Sequence, residues 1–331
     1  MKETSINGLK SFKIGQAQNS EAATGCTVLI CENGAVCGVD VRGGSPGTRD
    51  TDALNPVNNR DIVHAVLLAG GSTFGLDAAG GVMKFLEEHK IGRDVEVTLI
   101  PHVSAAILFD LKCGRYDIRP DEKMGYAACE NAFAGQAWKS GNFGAGAGAT
   151  IGKICGRDRA MKGGIGAYAF QHEKLFVGAV IAVNCVGDIF DNREGKIIAG
   201  ARSADGKGFM DSEAVVLEKY ESKFDLFSGI NLGSNTIIGC IVTNAKLTKA
   251  QATKLASHGH NGIARTVRPA HTIAEGDAIF AMCSGEVETN PDAVGILASR
   301  ATEYAILDAV RNAATVGKFL SLEDFEQSRQ K

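Results

Sequence analysis

Four short segments hold residues whose types and spacing suit catalysis. The first is GSNTIIGCIVTNA (233–245), where Thr236 opens an apolar run directly behind a polar stretch rich in Gly, Ser and Asp (205–235). A threonine there can attack the carbonyl of Asn235 through its hydroxyl. The chain then breaks, and the freed α-amine becomes the base for the same hydroxyl. That amine has a reference pKa of about 7.7–8.0, so part of it is neutral at pH 7. Asn-Thr is also an ordinary way to begin a strand. The second is HTIAEGDAIFAM (271–282), where Glu275 and Asp277 flank Gly276 just before another apolar run. Paired carboxylates can orient a hydroxyl and an ammonium, or hold a substrate amine. Positions i and i+2 of a strand share a face. Two such charges raise at least one pKa unless a cation intervenes. An acidic turn is the alternative. The third is AVIAVNCVGD (179–188), where Asn184 ends an apolar run. Its amide can donate to an oxyanion, or it can simply start a turn.

The fourth is the glycine-rich GNFGAGAGATIGK (141–153), which ends in Lys153. A phosphate-binding loop of the form G-x-x-x-x-G-K-[ST] needs glycine at 147 and a hydroxyl residue at 154. The chain has Ala147 and Ile154. Gly144, Gly146 and Ala149 fit G-x-G-x-x-A, but AWKSGN before them is not a buried strand. VLLAGGSTFG resembles a nucleophile elbow around Ser72, yet Phe74 stands where glycine is required. The small residues around Lys153 point to backbone shaped for close approach.

Composition narrows the classes. Of 331 residues 44 % are hydrophobic and 22 % charged, enough for a sizeable core and against disorder. Lys+Arg 35 against Asp+Glu 38, with no dense basic run, argues against nucleic acid or an anionic membrane as partner. No apolar stretch approaches 18 residues and no apolar segment follows Met1, so the cytoplasm is expected. The nine cysteines form no C-x-x-C pair and mostly lie in apolar runs, as reduced buried thiols do. The seven histidines show no zinc spacing, so neither metal nor cofactor is expected.

The elements that must position these residues alternate. Residues 26–31 and 35–41 flank Glu32-Asn33-Gly34 and read as a hairpin. Strands follow at 63–69, 95–100 and 105–111, and helices at 75–89 and 122–134. A second hairpin covers 164–171 and 174–184. The polar stretch 205–235 reads as a linker with a short helix near 211–222. A strand at 236–244 precedes a helix opened by the capping box Thr248-Lys249-Ala250-Gln251. A last strand (278–284) and a helix capped by Asn290-Pro291 complete the chain. The pattern predicts an α+β single domain, 1–331, in four αββα layers, with a doubly wound parallel sheet as the alternative.

Together these segments resemble the L-aminopeptidase/D-esterase family of self-cleaving amidohydrolases, which includes β-peptidyl aminopeptidases and nylon-oligomer hydrolases. The resemblance spans nearly the whole chain. It rests on residues 23–52, HAVLLAGGSTFGLDAAGGVMKFLEE (64–88), GAGAGATIGK (144–153), VNCVGD (183–188), NTIIGCIVTNA (235–245) and RPAHTIAEGDAIFA (268–281). It implies an αββα sandwich like that of N-terminal nucleophile hydrolases but differently connected. It also implies cleavage between Asn235 and Thr236 into chains 1–235 and 236–331, and a homo-oligomer, a tetramer. It assigns Thr236 as nucleophile, Asn184 to the oxyanion, and Lys153, Glu275 and Asp277 to the catalytic centre. Phe109 stands where nylon-oligomer hydrolases carry a tyrosine, so their specificity does not transfer. The implied activity is hydrolysis of small peptides or amides. An amine acyltransferase of related architecture and a non-enzymatic phosphate-binding protein are the alternatives.

Overall fold

The computed structural model describes residues 1–218 and 235–329. Besides the two-residue pairs Arg93–Asp94 with Leu99–Ile100 and Thr150–Ile151 with Met161–Lys162, its strands are β1 (Lys2–Thr4), β2 (Lys13–Asn19), β3 (Thr24–Val41), β4 (Thr48–Arg49), β5 (Ile62–Ala69), β6 (Val103–Ile107), β7 (Gly164–His172), β8 (Leu175–Asn184), β9 (Asp188–Asp191), β10 (Lys196–Ala199), β11 (Thr236–Ala245), β12 (Val267–Arg268) and β13 (Ala278–Val287). The helices are α1 (Ala78–Glu88), α2 (Glu122–Phe133), α3 (Ser212–Glu218), α4 (Lys249–Thr266), α5 (Pro291–Arg311) and α6 (Leu322–Arg329).

Hydrogen bonds join ten strands in the order β1-β7-β8-β11-β13-β3-β5-β6-β4, with β2 also on β3. Neighbours are antiparallel except β11–β13 and β5–β6. The sheet folds over on itself through the long β3, so β11 packs across β5 and β6 although β13 and β3 separate them in bonding order. Two sheet halves therefore face each other, and one helix pair covers each outer face. Alternate residues of β11 make the layers visible. Ile237 and Ile241 pack outward with α4 and α5 residues such as Ile263 and Ile306. Ile238, Cys240 and Val242 pack inward against Val66 and Leu68 of β5. Residues of α1 and α2 cover the far face of β3, β5 and β6. Burial on both faces explains why β8 and β11 read as continuous apolar runs rather than alternating ones. The four αββα layers expected from the pattern are present, in an α+β chain.

Local chemistry sets the helix ends. Thr248 accepts from Gln251 N–H while the Gln251 side chain accepts from Thr248 N–H, the reciprocal box that starts α4. The Asn290 side chain accepts from Asp292 N–H at the start of α5.

Three expectations need correction. Residues 26–41 are not a hairpin but one strand. Asn33-Gly34 marks a register shift against β5, with Gly34 at φ +76°. The pairing a hairpin would have used is taken by β2, which returns onto residues 24–30. The stretch 95–100 is not a core strand: only Leu99–Ile100 pairs, with Arg93–Asp94, and Val97 is 90 % exposed. Residues 108–111 leave the sheet, and Asp110 instead accepts from Gly71 N–H at 2.7 Å and Thr24 Oγ1 at 2.7 Å. Of the polar stretch 205–235, α3 ends at Glu218, and residues 219–234 lie outside the described residues. All nine cysteines are free thiols. Among the described residues no helix is long and apolar enough to cross a membrane, and no His/Cys/Asp/Glu group could hold a metal.

Candidate active site

Sheet direction gathers the four segments. β8 and β11 are antiparallel, so the end of one lies beside the start of the other, and Asn184 is the register partner of Thr236. β11 and β13 are parallel, so their starts coincide, and Asp277 directly precedes β13. Residues 150–153 run against the turn after β8: Gly152 N–H donates to Gly187 O at 3.0 Å and Lys153 N–H to Val186 O at 2.9 Å. Lys153, Asn184, Asn235, Thr236, Glu275 and Asp277 are all buried.

The Thr236 hydroxyl lies against the carbonyl oxygen of Asn235, its own preceding peptide. That peptide is held by Gly276 N–H, which donates to Asn235 O at 3.1 Å. A Cβ at 276 would sit 2.5 Å from Ser45 O and 3.0 Å from Thr236 Oγ1, so glycine is required for this approach. The Asn235 side-chain amide is buried, with neither polar atom hydrogen-bonded among the described residues. Orphaned buried polar groups cost about 1–3 kcal/mol each.

Lys153 Nζ donates to Thr150 O at 2.9 Å, Asn184 O at 3.0 Å and Asn184 Oδ1 at 2.9 Å, with Thr150 Oγ1 at 3.3 Å. Thr150 N–H also donates to Asn184 Oδ1 at 2.9 Å. Two donors on one atom identify it as the oxygen, so the amide nitrogen faces the other way and donates to Phe109 O at 3.1 Å. Burial lowers the Lys153 pKa to about 7, with a smaller push from the Arg157 charge. Its three nearest partners are oxygens that can only accept, so in this arrangement Lys153 is the ammonium, and burial makes its proton easier to lose.

The two carboxylates reach different partners. Glu275 accepts from Val186 N–H at 3.0 Å and Thr272 N–H at 3.0 Å. Asp277 accepts from Ile237 N–H at 2.7 Å on Oδ1 and from the His271 ring Nδ1 at 2.8 Å on Oδ2. Burial first, and the Asp277 charge second, push Glu275 up to about 8, despite two backbone donors and nearby Lys153. The expected single-face convergence of the pair is thus replaced by a split: Glu275 braces the turn after β8, and Asp277 braces the start of β11.

Sequence reasoning missed two supports. Lys162 is wholly buried, and its Nζ donates to Gly146 O at 3.1 Å, Ala149 O at 2.9 Å and Gly163 O at 2.9 Å. It clamps the glycine-rich loop from beneath, and burial lowers its pKa to about 8. The Met161-Lys162-Gly163-Gly164 sequence carries no signal for this, because two of the three acceptors are backbone carbonyls of the glycine-rich loop. His271 was also missed. It lies in the same segment as Asp277, but its contact depends on the turn between them.

The profile of peptidase family S58 matches residues 4–321. A Mycobacterium tuberculosis protein named an uncharacterized aminopeptidase is 40 % identical over 322 residues, which cover 94 % of this chain and 90 % of that one. A 6-aminohexanoate-oligomer endohydrolase of Kocuria is 30 % identical over 325 residues, covering 94 % and 87 %. The solved L-aminopeptidase D-Ala-esterase/amidase of Ochrobactrum anthropi superposes with a TM-score of 0.70 at 16 % identity, over 98 % of this chain and 92 % of that one. That last likeness speaks to the fold, a variant of the N-terminal nucleophile hydrolase type. With the profile and both curated relatives spanning nearly its whole length, the chain belongs to peptidase family S58 and is a hydrolase of amide bonds.

Proposed function

We propose that the chain cleaves itself between Asn235 and Thr236, and that Thr236 then hydrolyses small peptides or amides as an N-terminal nucleophile. The observation that carries this reading is the buried Thr236 hydroxyl against the Asn235 carbonyl, at the strand end shared with Asn184, Lys153 and Asp277. In processing, Thr236 Oγ attacks the Asn235 carbonyl carbon and its proton passes to a base. Lys153 takes that role once it has given up one of its hydrogens, which burial eases by lowering its pKa to about 7. The C–N bond breaks, nitrogen takes the proton, and water hydrolyses the ester. The result is a carboxylate on Asn235 and a free amine on Thr236. In turnover the same hydroxyl attacks a substrate carbonyl, with that amine as base. The Asn184 amide donates to the oxyanion, and the acyl-enzyme is released by water.

The substrate class proposed is a short amide with a free amine near the scissile bond. Support comes from the relatives, named as an aminopeptidase and as a 6-aminohexanoate-oligomer endohydrolase, and from the buried Asp277 beside the Thr236 strand start. We place the enzyme in the cytoplasm, where nine free thiols persist, as a homo-oligomer of four chains. Light scattering of the purified protein tests the assembly.

The deciding experiment is a denaturing gel with mass analysis. Wild type resolves into residues 1–235 and 236–331, and Thr236→Ala remains one chain without amidase activity. A break elsewhere, or activity in Thr236→Ala, removes Thr236 from the mechanism.

A further inference from the structure

Asp277 is fully buried, and among the described residues no lysine or arginine side chain pairs with it. Its Oδ1 takes the Ile237 N–H at 2.7 Å. Its Oδ2 is gripped twice by one residue: by the His271 backbone N–H at 3.2 Å and by ring Nδ1 at 2.8 Å. A carboxylate can only accept, so Nδ1 carries the hydrogen. The ring's other nitrogen, Nε2, is buried and unbonded among the described residues. The ring stands T-shaped against His260, with centroids 4.8 Å apart and planes at 70°. His260 in turn donates from Nε2 to Asp40 O at 2.9 Å, and burial lowers its pKa to about 4, so it stays neutral. His271 also holds a left-handed backbone, φ +57°, which is uncommon for a residue with a Cβ. A solvated acidic turn needs none of these features.

We infer that His271 is a positioning residue of the amide-hydrolysing centre: its Nδ1–H fixes the Asp277 carboxylate so that Oδ1 stays on Ile237 N–H, one residue from the reacting threonine. His260, packed edge-on, keeps the imidazole from turning away. The inference rests on the reading of Thr236 as nucleophile. Without the imidazole, Oδ2 keeps one long backbone bond, and the carboxylate is free to rotate off the β11 terminus. The freed start of β11 carries the threonine, so the loss falls on the reacting group rather than on substrate binding. Among the described residues, the charged or titratable groups near the pair include Glu275 on the same loop, Asp40 on β3 and Arg42 just after it, His260 on α4, and Cys185 and Lys153 beside Glu275. Arg42 is engaged with Asp40 at 2.9 Å and Ser257 at 2.7 Å.

The test compares His271→Asn with His271→Gly in the fully processed enzyme, on an amino-acid anilide and with Tm recorded. Both replacements tolerate a left-handed backbone, and only Asn keeps an N–H near the place of Nδ1. Asn is expected to hold kcat within about threefold. Gly is expected to lower kcat by about 10–100-fold, the worth of one hydrogen bond to a charged group, with KM nearly unchanged. Wild-type kcat in His271→Gly overturns the inference, as does equal loss in both variants. Thr236→Ala runs alongside: activity there defeats the nucleophile reading itself, whereas an inactive Thr236→Ala beside a normal His271→Gly defeats only the role of His271.

Discussion

Replacing Glu275 by Gln separates two opposing effects of one buried carboxyl. Both oxygens of Glu275 accept backbone N–H groups, from Val186 and Thr272. Gln presents one oxygen and one NH2, so one of those N–H groups meets a donor and is left unsatisfied. That costs about 1–3 kcal/mol at any pH. Against this, burial and Asp277 raise the Glu275 pKa from 4.5 to about 8 in the folded chain. In that window the folded state binds the proton and the unfolded state does not, so stability falls as pH rises. Between pH 5 and 6.5 the fall is about 2 kcal/mol, from about 1.4 kcal/mol per unit acting over most of the interval. Lys153 has the opposite sign: with its pKa lowered to about 7, it adds stability only as pH rises from there toward its unfolded value of 10.5. Staying below pH 6.5 keeps it silent. Asp110 and Asp188, each raised to about 6 by burial, contribute equally to both proteins and cancel in the difference. The assay is urea unfolding of uncut Thr236→Ala with and without Glu275→Gln, at pH 5 and 6.5. The Gln protein should be less stable at pH 5, and the gap should shrink by about 2 kcal/mol at pH 6.5. Parallel pH dependence in the two proteins would show that Glu275 is not held protonated, and the electrostatic account of the centre would fail.

Two further substitutions probe the same end of the sheet. Asp277→Asn should nearly abolish turnover with the fold intact by circular dichroism, because its amide cannot accept from both Ile237 N–H and the His271 ring; normal kcat on a small amide would return this segment to an acidic turn. Lys153→Met leaves the Asn184 and Thr150 oxygens short of a donor and removes the proposed base, so processing followed by gel should slow at least 100-fold, and wild-type processing would leave the loop a purely structural element.

Much of the site was legible because its chemistry is written in short segments. Thr236 stands where a polar stretch meets an apolar run, Asn184 ends one such run, and Glu275 and Asp277 precede another. Each is tied to a strand end that hydrophobic patterning locates. The helices α4 and α5 were likewise visible, through the Thr248–Gln251 box and the Asn290-Pro291 cap, which are bonds among near neighbours in sequence. Strand pairing was less legible. Asn33-Gly34 carries the local signal of a hairpin, but the competing partner is β2, and local propensity cannot weigh one partner against another.

The residue types and spacings by themselves determined which groups are available for chemistry and which elements carry them, since capping and apolar periodicity are local properties. Tertiary structure alone decided how those groups meet. The antiparallel β8–β11 pair and the parallel β11–β13 pair bring Asn184, Thr236 and Asp277 to one end of the sheet, although the sequence separates them widely. Burial at that end divides the two carboxylates between different partners and moves Glu275 and Lys153 toward neutral pH. His271 and Lys162 act there through contacts made only when distant backbone closes around them. Desolvation depends on the whole packed environment, and no window of sequence contains it.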